Sequence, residues 1–244
     1  NLWLAMLAAF AAGLVAGAIT GLLHTFMGIP PILAGILTQL ILWSLNLKIL
    51  GKANLAISAR KYSVLLSSMD NWKAIVVSAI FCILVIVGLY LFFYTEVGLT
   101  LKSPGDNPNM SRAQGVDVKF NKVLGLAIAN GIVAMAGALL AQYQGFADIN
   151  MGRGAIVIGL ASIIIGESVF GQIFRNFALK LLAVSFGAII YYIVIQTVIT
   201  LGFDANLLKL LSAAIVAVFL AIPHWKRQYA EKHIRRHKGG KTNA

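Results

Sequence analysis

Residues 104–115 read PGDNPNMSRAQG, and this polar stretch lies between two long apolar runs. No charged residue occurs between Lys73 and Glu96 before it, or between Lys122 and Asp148 after it. A helix needs about 20 apolar residues to cross the hydrocarbon core of a bilayer, and both runs are long enough. The pattern therefore predicts two membrane-spanning helices joined by a short polar connection, which we call the island.

The composition of the whole chain agrees with lipid as its solvent. Of its 244 residues, 59% are hydrophobic and 11% are charged, and the mean hydropathy is +0.86. Soluble domains carry about 25% charged residues, and a chain of this length cannot hide so much apolar surface from water. The apolar runs are continuous and not alternating, which argues against a β-barrel. We expect an all-α integral membrane protein, a polytopic helical bundle.

Seven apolar runs are separated by charged or turn-forming residues. Runs two and seven are a little short for a span, whereas runs one, three, four and six are long enough. Run five, GAIVIGLASIIIG, is too short to cross unless it extends past Glu167 or is a broken helix. The runs lie at 2–23 and 31–47, between Lys73 and Glu96, between Lys122 and Asp148, between Arg153 and Glu167, between Lys180 and Asp204, and between Lys209 and Lys226.

The last residues of the chain set the expected orientation. Residues 224–244 contain seven Lys or Arg residues against one acidic residue, Glu231. Lys and Arg are enriched on the cytoplasmic side of membrane proteins. We therefore expect a transmembrane domain over residues 1–223 and a basic cytoplasmic tail over residues 224–244. Contact with anionic lipid is a modest further role for the tail, and nucleic-acid binding is not expected without a folded basic domain.

Counting the runs back from the tail places the island in the cytoplasm and Asn1 outside. One segment conflicts with this count. Residues 51–71 fall on the outer side, although they carry Lys52, Arg60 and Lys61. We keep the orientation because the tail and the island agree with each other.

A shift of 124 residues aligns MGIPPILAGILT (27–38) with MGRGAIVIGLAS (151–162), so that Gly35 coincides with Gly159. Chance and an internal repeat both explain the match, since the two stretches are rich in the same few residues. In the expected topology the two copies are inverted. Short segments interrupted by Gly or Pro at matching places of inverted repeats indicate a transport path. Gly35 and Gly159 are therefore candidate path residues.

Polar side chains inside the apolar runs are expensive in lipid, so they normally face the protein interior or a water-filled path. Hydrogen bonding between helices and lining of a path both remain open for each of them. Gln39, Asn130 and Ser162 are the polar residues that we add to the candidate path.

The sequence contains no constellation that would carry out chemistry. It has one cysteine, Cys82, and no His and Cys cluster with metal-ligand spacing. The GGKT of the tail lacks the glycine of a phosphate-binding loop, because position 235 is Arg. We expect no catalytic residue, no metal and no cofactor, which argues against a membrane-embedded enzyme.

The island itself has the signals of a short helix. Asp106 or Asn107 suits the N-cap, Pro108 suits the first helical position, and Gly115 suits the residue after the end. Between them, PNMSRAQ makes about two helical turns. A plain loop between two spans would need no such caps.

The stretch GLTLKSPGDNPNMSRAQGVDVKFNKVLGLAIANGIVAMAGALLA (98–141) resembles permease subunits of bacterial ATP-binding-cassette importers of the branched-chain amino acid and ribose type. The matching features are Gly105-Asp106-Asn107-Pro108, Ala113-Gln114-Gly115-Val116 and Ala136-Gly137. ADINMGRGAIVIGLASIIIGESVFG and HTFMGIPPILAGILT resemble the same family, so the resemblance covers nearly the whole chain. Such permeases carry additional N-terminal sequence with at least one further span, which this chain is expected to lack or to begin after.

The resemblance implies that the island is a coupling helix within a cytoplasmic region of about residues 97–122. It would dock into a separate ATPase subunit, where Met110 suits a hydrophobic cleft and Arg112 a carboxylate. The implied partners are that ATPase, an extracytoplasmic substrate-binding lipoprotein, a second permease copy in a homodimer, and membrane lipid. The implied location is the bacterial cytoplasmic membrane. The coupling residues carried over are Asn107, Pro108, Met110, Arg112, Gln114 and Gly115.

Two kinds of transporter remain to be compared. The first is an importer permease without an ATPase of its own, and the alternative is an ion-coupled secondary transporter. The alternative needs an acidic or basic residue deep in a span, and none of the long runs has one.

The sequence GLASIIIGE (159–167) is similar to that of a subgroup associated with binding lipoproteins for aromatic amino acids. The expected substrate is an amino acid, with an aromatic one as candidate, or another small polar solute such as a sugar or a nucleoside.

Overall fold

The computed structural model describes residues 2–57, 65–66, 71–152, 154–171 and 176–201, together with four isolated helical residues, 210, 213, 214 and 217. The chain divides into two compact units, residues 1–152 and 153–244. The basic tail and most of the seventh apolar run lie outside the described residues. Unit 1 contains α1 (Leu2–Thr25), α2 (Pro31–Leu50), β1 (Asn54–Ala56), α3 (Asn71–Phe93), α4 (Glu96–Asp106), α5 (Pro108–Ala113), α6 (Val118–Gln144) and β2 (Phe146–Asp148), and unit 2 contains α7 (Ala155–Phe170) and α8 (Phe177–Thr200).

Five of the described helices are long and apolar enough to cross a membrane: α1, α2, α3, α6 and α8. The prediction of an all-α, polytopic membrane protein is therefore confirmed. Helix α7 continues three residues past Glu167, yet its 16 residues span only about 24 Å at ~1.5 Å per residue. A bilayer core is about 30 Å thick, so run five forms a continuous helix that stays short of a full span.

The prediction that run two is short is wrong. Helix α2 is unbroken over 20 residues, because Pro31 stands at its first position, where no intrahelical bond needs the missing N–H. At the other end the helix continues past Lys48, whose charge is favourable in a last turn. It stops at Gly51, which has a left-handed φ of 68° and donates its N–H to the Leu47 carbonyl at 3.0 Å.

Unit 1 is built on a close contact between α1 and α6. Gly13, Gly17 and Gly21 recur every fourth residue of α1, on the face that packs against α6. A Cβ placed on Gly17 would lie 2.6 Å from the Cα of Ala127, and one on Gly21 would lie 2.7 Å from the Cα of Val123. Such distances leave room for hydrogen only, so the two backbones touch. We call this contact the glycine seam, and it is the small-residue packing expected between membrane helices.

The glycine seam also sets the directions of the helices. Gly13 lies beside Ala134 and Gly21 lies beside Val123, so α1 and α6 run antiparallel. The start of α6 and the end of α1 therefore lie together, where the Lys119 ammonium sits 5.7 Å from the centre of the Phe26 ring. Helices α4 and α5 both contact α6, and α4 does so at Asn121, in the first turns of α6. We call this the island end of unit 1.

The opposite end of unit 1 carries a two-stranded antiparallel sheet. Strand β1 follows α2 and pairs with β2, which follows α6, with Leu55 opposite Ala147. Residues 51–57 therefore lie at the end away from the island, as the count of spans predicted in spite of Lys52. A small core of Met6, Leu66, Ala74 and Leu139 packs α1, α3 and α6 together, and the Leu65 N–H donates to the Gln142 side chain at 3.2 Å. We call this the sheet end.

Unit 2 repeats the same packing principle with α7 and α8. Gly166 lies against Ala183, and Gly187 lies against Ser162 and Gly166, so these helices also run antiparallel at backbone contact. Ala161, Ile165 and Tyr191 form the buried core between them. The first residues of α2 and α7, Pro31 and Ala155, are 124 residues apart, which is the shift of the predicted repeat. The inverted relation of the two copies stays a prediction.

The glycine seam gives a stability prediction. Gly17→Ala should destabilise the protein by about 1–3 kcal/mol, because the new methyl group would push α1 away from α6. The matched control is Gly137→Ala on α6, where an added Cβ meets no atom within 4 Å. Thermal unfolding of the purified variants in detergent measures both effects. Equal melting temperatures for the two variants would contradict the seam.

Candidate functional site

The island folds as the predicted capped helix. Asn107, and not Asp106, is the N-cap of α5: its side-chain oxygen accepts the N–H groups of Asn109 and Met110 at 3.1 and 3.2 Å. Pro108 occupies the first helical position. A cap of this kind satisfies backbone donors that a helix start leaves free, so even six residues hold a helical shape.

The end of α5 also matches its sequence signal. Gly115 has a left-handed φ of 81°, and its N–H donates to the Arg112 carbonyl at 3.0 Å. The Val116 N–H donates to the Ser111 carbonyl at the same distance. These two bonds form a Schellman motif, which favours glycine because a side chain tolerates the left-handed backbone poorly. The helix therefore has a fixed length and a fixed exit direction.

Helix α5 has one buried side and one exposed side. Ser111 is only 2% exposed, and its hydroxyl donates to the Asn107 carbonyl at 2.9 Å. Met110 is 59% exposed, and Arg112 and Gln114 are also exposed. A thioether, a guanidinium and an amide therefore project from a helix that is held from behind.

The start of the island departs from its predicted structure. Pro104 and Gly105 look like turn residues, but they belong to the last turn of α4, an 11-residue helix that the sequence signals did not predict. Thr95 caps this helix by accepting the Gly98 N–H at 3.2 Å. A proline inside a helix removes the N–H that would bond to the carbonyl four residues earlier. Here that carbonyl belongs to Thr100.

The Thr100 carbonyl is used instead to join three helices. The Asn121 side chain of α6 donates to it at 2.9 Å, and the Ser103 hydroxyl of α4 donates to it at 3.1 Å. The Ser111 hydroxyl of α5 lies 3.2 Å from the Ser103 hydroxyl. Asn121 and Ser111 are both buried. This network, which we call the Thr100 junction, fastens the exposed helix α5 to the membrane-spanning helix α6.

The candidate path residues of unit 1 have different surroundings. Gln39 is exposed, and a Cβ on Gly35 would meet no atom within 4 Å, so this face of α2 is open. Asn130 lies beside Gly17 in the glycine seam and donates to the Leu126 carbonyl of its own helix at 2.9 Å. Its surroundings favour a packing role.

In unit 2, Gly159 and Ser162 differ in the same way. Gly159 is exposed, and a Cβ added to it would meet no atom within 4 Å. Ser162 is 3% exposed, donates to the Ile158 carbonyl at 2.7 Å and packs against Gly187. Gly159 is therefore available to line a path, and Ser162 belongs to the contact between α7 and α8.

The described residues hold no group of three His, Cys, Asp or Glu side chains that could bind a metal ion. The charged side chains within the long described helices lie near the helix ends, such as Lys48 in α2, Lys73 in α3 and Lys180 in α8. Every buried polar side-chain atom in this part of the chain has a hydrogen-bond partner. The geometry thus offers one exposed, anchored helix and polar, uncharged helix faces.

Comparison with known proteins agrees with this arrangement. Residues 1–224 match the family described as "Branched-chain amino acid transport system / permease component". The chain belongs to this family. It is a transport permease and a multi-pass protein of the bacterial cytoplasmic membrane.

Three curated relatives cover most of this permease, and two of them are named as permeases. A "Tyrosine transport system permease protein" of Clostridioides difficile is 38% identical over 89% of this chain and 72% of its own length. A Rickettsia prowazekii protein described as uncharacterized is 34% identical over 88% of this chain and 78% of its own. "Fructose import permease protein FruF" of Bifidobacterium longum is 26% identical over 100% of this chain and 68% of its own. No solved structure matches the chain.

Several structurally important residues of the permease were not predicted from the sequence. Gly17 completes a spacing of four between Gly13 and Gly21, and that spacing was the available signal. Thr20 and Thr38 are buried and share a 2.9 Å hydrogen bond that joins α1 to α2. The role of Asn121 had no signal in the sequence, because its partner lies 21 residues away in another helix.

The Thr100 junction gives a second prediction. Asn121→Ala should loosen α4 by roughly 1 kcal/mol and speed its amide exchange about fivefold, because the bond from α6 is lost. In a Pro104→Ala background the effect should be smaller, since residue 104 then supplies its own N–H to the Thr100 carbonyl. Hydrogen–deuterium exchange over residues 96–106 measures both.

The control variant is Asn130→Ala, because the Asn130 side chain bonds within its own helix and should leave exchange in α4 unchanged. If Asn121→Ala has the same effect with and without Pro104, the junction does not depend on the N–H that the proline removes.

Proposed function

We propose that the chain is the permease subunit of an ATP-binding-cassette importer, and that α5 docks into a separate ATPase subunit. The observation that carries this proposal is the two-sided character of α5. Its inner side is held by the Thr100 junction, while Met110 and Arg112 project outward. A helix that is fastened on its inner side and exposed on its outer side can transmit movement from a bound partner to the membrane-spanning helices, and from those helices to the partner.

The chemistry of the exposed side suits a protein partner. A thioether adapts its shape to an apolar cleft, and a guanidinium pairs well with a carboxylate. Asn107, Pro108, Gln114 and Gly115 contribute differently, since they set the caps and the direction of the helix. We therefore propose that Met110 and Arg112 contact the ATPase, and that the other four residues determine the shape of α5.

The orientation follows from the same proposal. The island end faces the cytoplasm and the ATPase, and the sheet end faces outward, toward a substrate-binding lipoprotein. Two copies of the permease pair around the path in a homodimer. Because β1 and β2 lie away from α5, the two docking events of this proposal occur on opposite sides of the membrane.

We propose that the open face of α2 lines the translocation path within unit 1. In unit 2, taken by itself, the open face of α7 is a second candidate lining. Gly35 and Gln39 on α2 and Gly159 on α7 have the space that a moving solute needs. Asn130 and Ser162 are assigned a packing role, Asn130 between α1 and α6 and Ser162 between α7 and α8. A solute would then meet backbone, amide and aliphatic groups.

The proposed substrate is an aromatic amino acid. The relative at 38% identity is named as a tyrosine permease, which supports this class. The relative named for fructose is less similar, at 26% identity. The alternative of an ion-coupled secondary transporter is disfavoured by the position of the charges, which lie near the ends of the long helices described.

Docking of α5 is tested by reversing its charge. Arg112→Glu should abolish most substrate-stimulated ATP hydrolysis by the assembled complex, because a like-charge contact at an interface costs several kcal/mol. Arg112→Gln, which removes the charge without reversing it, should have a smaller effect. The variants should insert in the membrane at normal levels, since no span is altered.

Proximity to the ATPase is tested separately in a Cys82→Ala background. A cysteine at Met110 should crosslink to the ATPase subunit, and one at Lys52 should not. Both side-chain positions are exposed, so accessibility is matched. Crosslinking at position 52 with none at 110 would show that the orientation is reversed. If the complex with Arg112→Glu hydrolyses ATP like the wild type, α5 does not dock and is only a connection between α4 and α6.

The substrate class has its own prediction. In proteoliposomes that contain the permease, its ATPase and its binding protein, uptake of labelled tyrosine should be inhibited by phenylalanine and tryptophan, and not by fructose. The control is the same vesicle without ATP. Uptake of fructose in place of tyrosine would show that the substrate is a sugar, and the importer proposal would still stand.

A further inference from the structure

Helix α2 presents two neighbouring faces with different surroundings. Ala34 and Thr38 are buried, and Thr38 shares its hydrogen bond with α1. At ~3.6 residues per turn, Gly35, Gln39 and Asn46 fall within about 40° of one another on the face beside this contact. Leu42, which is half-buried, lies between the two amides on the same face. We call this face the amide stripe, and it extends roughly 16 Å along the helix.

The amide stripe carries two polar side chains, at Gln39 and Asn46, that are unoccupied by the described part of the chain. Gln39 and Asn46 are both exposed, and neither makes a side-chain hydrogen bond to a residue that the structure describes. A Cβ on Gly35 would meet nothing within 4 Å. Gln39 is the ninth of the 20 residues of α2 and so lies near the middle of the span.

Lipid is an unfavourable neighbour for this face. An amide that loses its hydrogen bonds on transfer from water to an apolar medium costs roughly 2–7 kcal/mol. The far side of α2 has the opposite character, because Leu33, Leu37 and Leu40 are all exposed there. One side of the helix therefore suits lipid, and the amide stripe suits water or polar groups.

The chemistry of the stripe indicates what it would contact. An amide offers both a donor and an acceptor, and it carries no net charge. The charged side chains of the long described helices lie near their ends, so none balances a charged solute at the depth of Gln39. A net-neutral solute with hydrogen-bonding groups, such as a zwitterionic amino acid or a sugar, fits this lining.

We propose that Gly35, Gln39 and Asn46 form the solute-contacting face of α2, and that the two amides hydrogen-bond to a net-neutral solute as it crosses. Gly35 has no side chain and so leaves room for the solute. The two amides lie further along the same face of the helix. Asn46 is then a specificity-determining residue that no comparison assigns. This inference rests on the proposed importer function, and it goes further by naming the contacting atoms and the charge of the solute.

The test uses single cysteines in a Cys82→Ala background, in the full complex with its ATPase and binding protein in proteoliposomes. Cysteines at Gln39 and Asn46 should react with a membrane-impermeant methanethiosulfonate, while the matched controls at Leu37 and Leu40 should not. Tyrosine at about ten times its half-saturating concentration should slow labelling of positions 39 and 46 about tenfold, as occupancy requires. Arginine, a cationic amino acid, should give no protection.

A second measurement does not depend on labelling. Gln39→Leu should raise the tyrosine concentration for half-maximal uptake about tenfold, the usual scale for one lost hydrogen bond to a polar solute. Leu40→Ala, on the far side of α2, should transport like the wild type. Partial rescue by Gln39→Asn, which keeps the amide, would support contact through that group.

Three results would overturn the inference. These are inert cysteines at positions 39 and 46, labelling of 37 and 40 at the same rate, and labelling that neither tyrosine nor fructose slows. Protection by arginine would overturn the assignment of a net-neutral solute. Crosslinking from position 110 to the ATPase separates this inference from the proposed function, because it can succeed while the amide stripe fails.

Discussion

The glycine seam between α1 and α6 is the contact on which the rest of unit 1 depends. Three glycines without side chains allow two helix backbones to touch, and dispersion forces at that distance replace the hydrophobic effect that lipid cannot supply. Because the seam runs antiparallel, it brings the start of α6 to the end of α1 and separates the island end from the sheet end. The position of α5 and the pairing of β1 with β2 both follow from that arrangement.

Backbone hydrogen bonding explains how the island is attached. Pro104 removes one N–H from α4, and the Thr100 carbonyl that it would have used accepts from Asn121 instead. A proline thereby converts a bond within one helix into a bond between two helices. Ser103 and Ser111 extend the junction to α5, so a force on the proposed docking helix would reach α6 through short, partly buried hydrogen bonds.

The helices that cross the membrane were predictable because their signal is local. A continuous apolar run must be helical in lipid, where each backbone group needs a partner within its own segment. The caps of α5 were predictable for the same reason, since Asn107, Pro108 and Gly115 act on neighbouring backbone atoms. Helix α4 was missed because Pro104 and Gly105 are local signals for a turn, and a contact from α6 outweighs them.

Among the candidate site residues, the sequence distinguished polar from apolar positions. It could not determine the direction in which each side chain points. Gln39 and Asn130 look alike as amides in apolar runs, yet one is exposed and the other lies in the glycine seam beside Gly17. The sequence alone determined that the protein lies in a membrane, where most of its spans fall and which segment carries a capped polar helix. Only the tertiary structure decided which glycines bring backbones together, which amides remain open and how the island is fastened, because these depend on contacts between residues far apart in the chain.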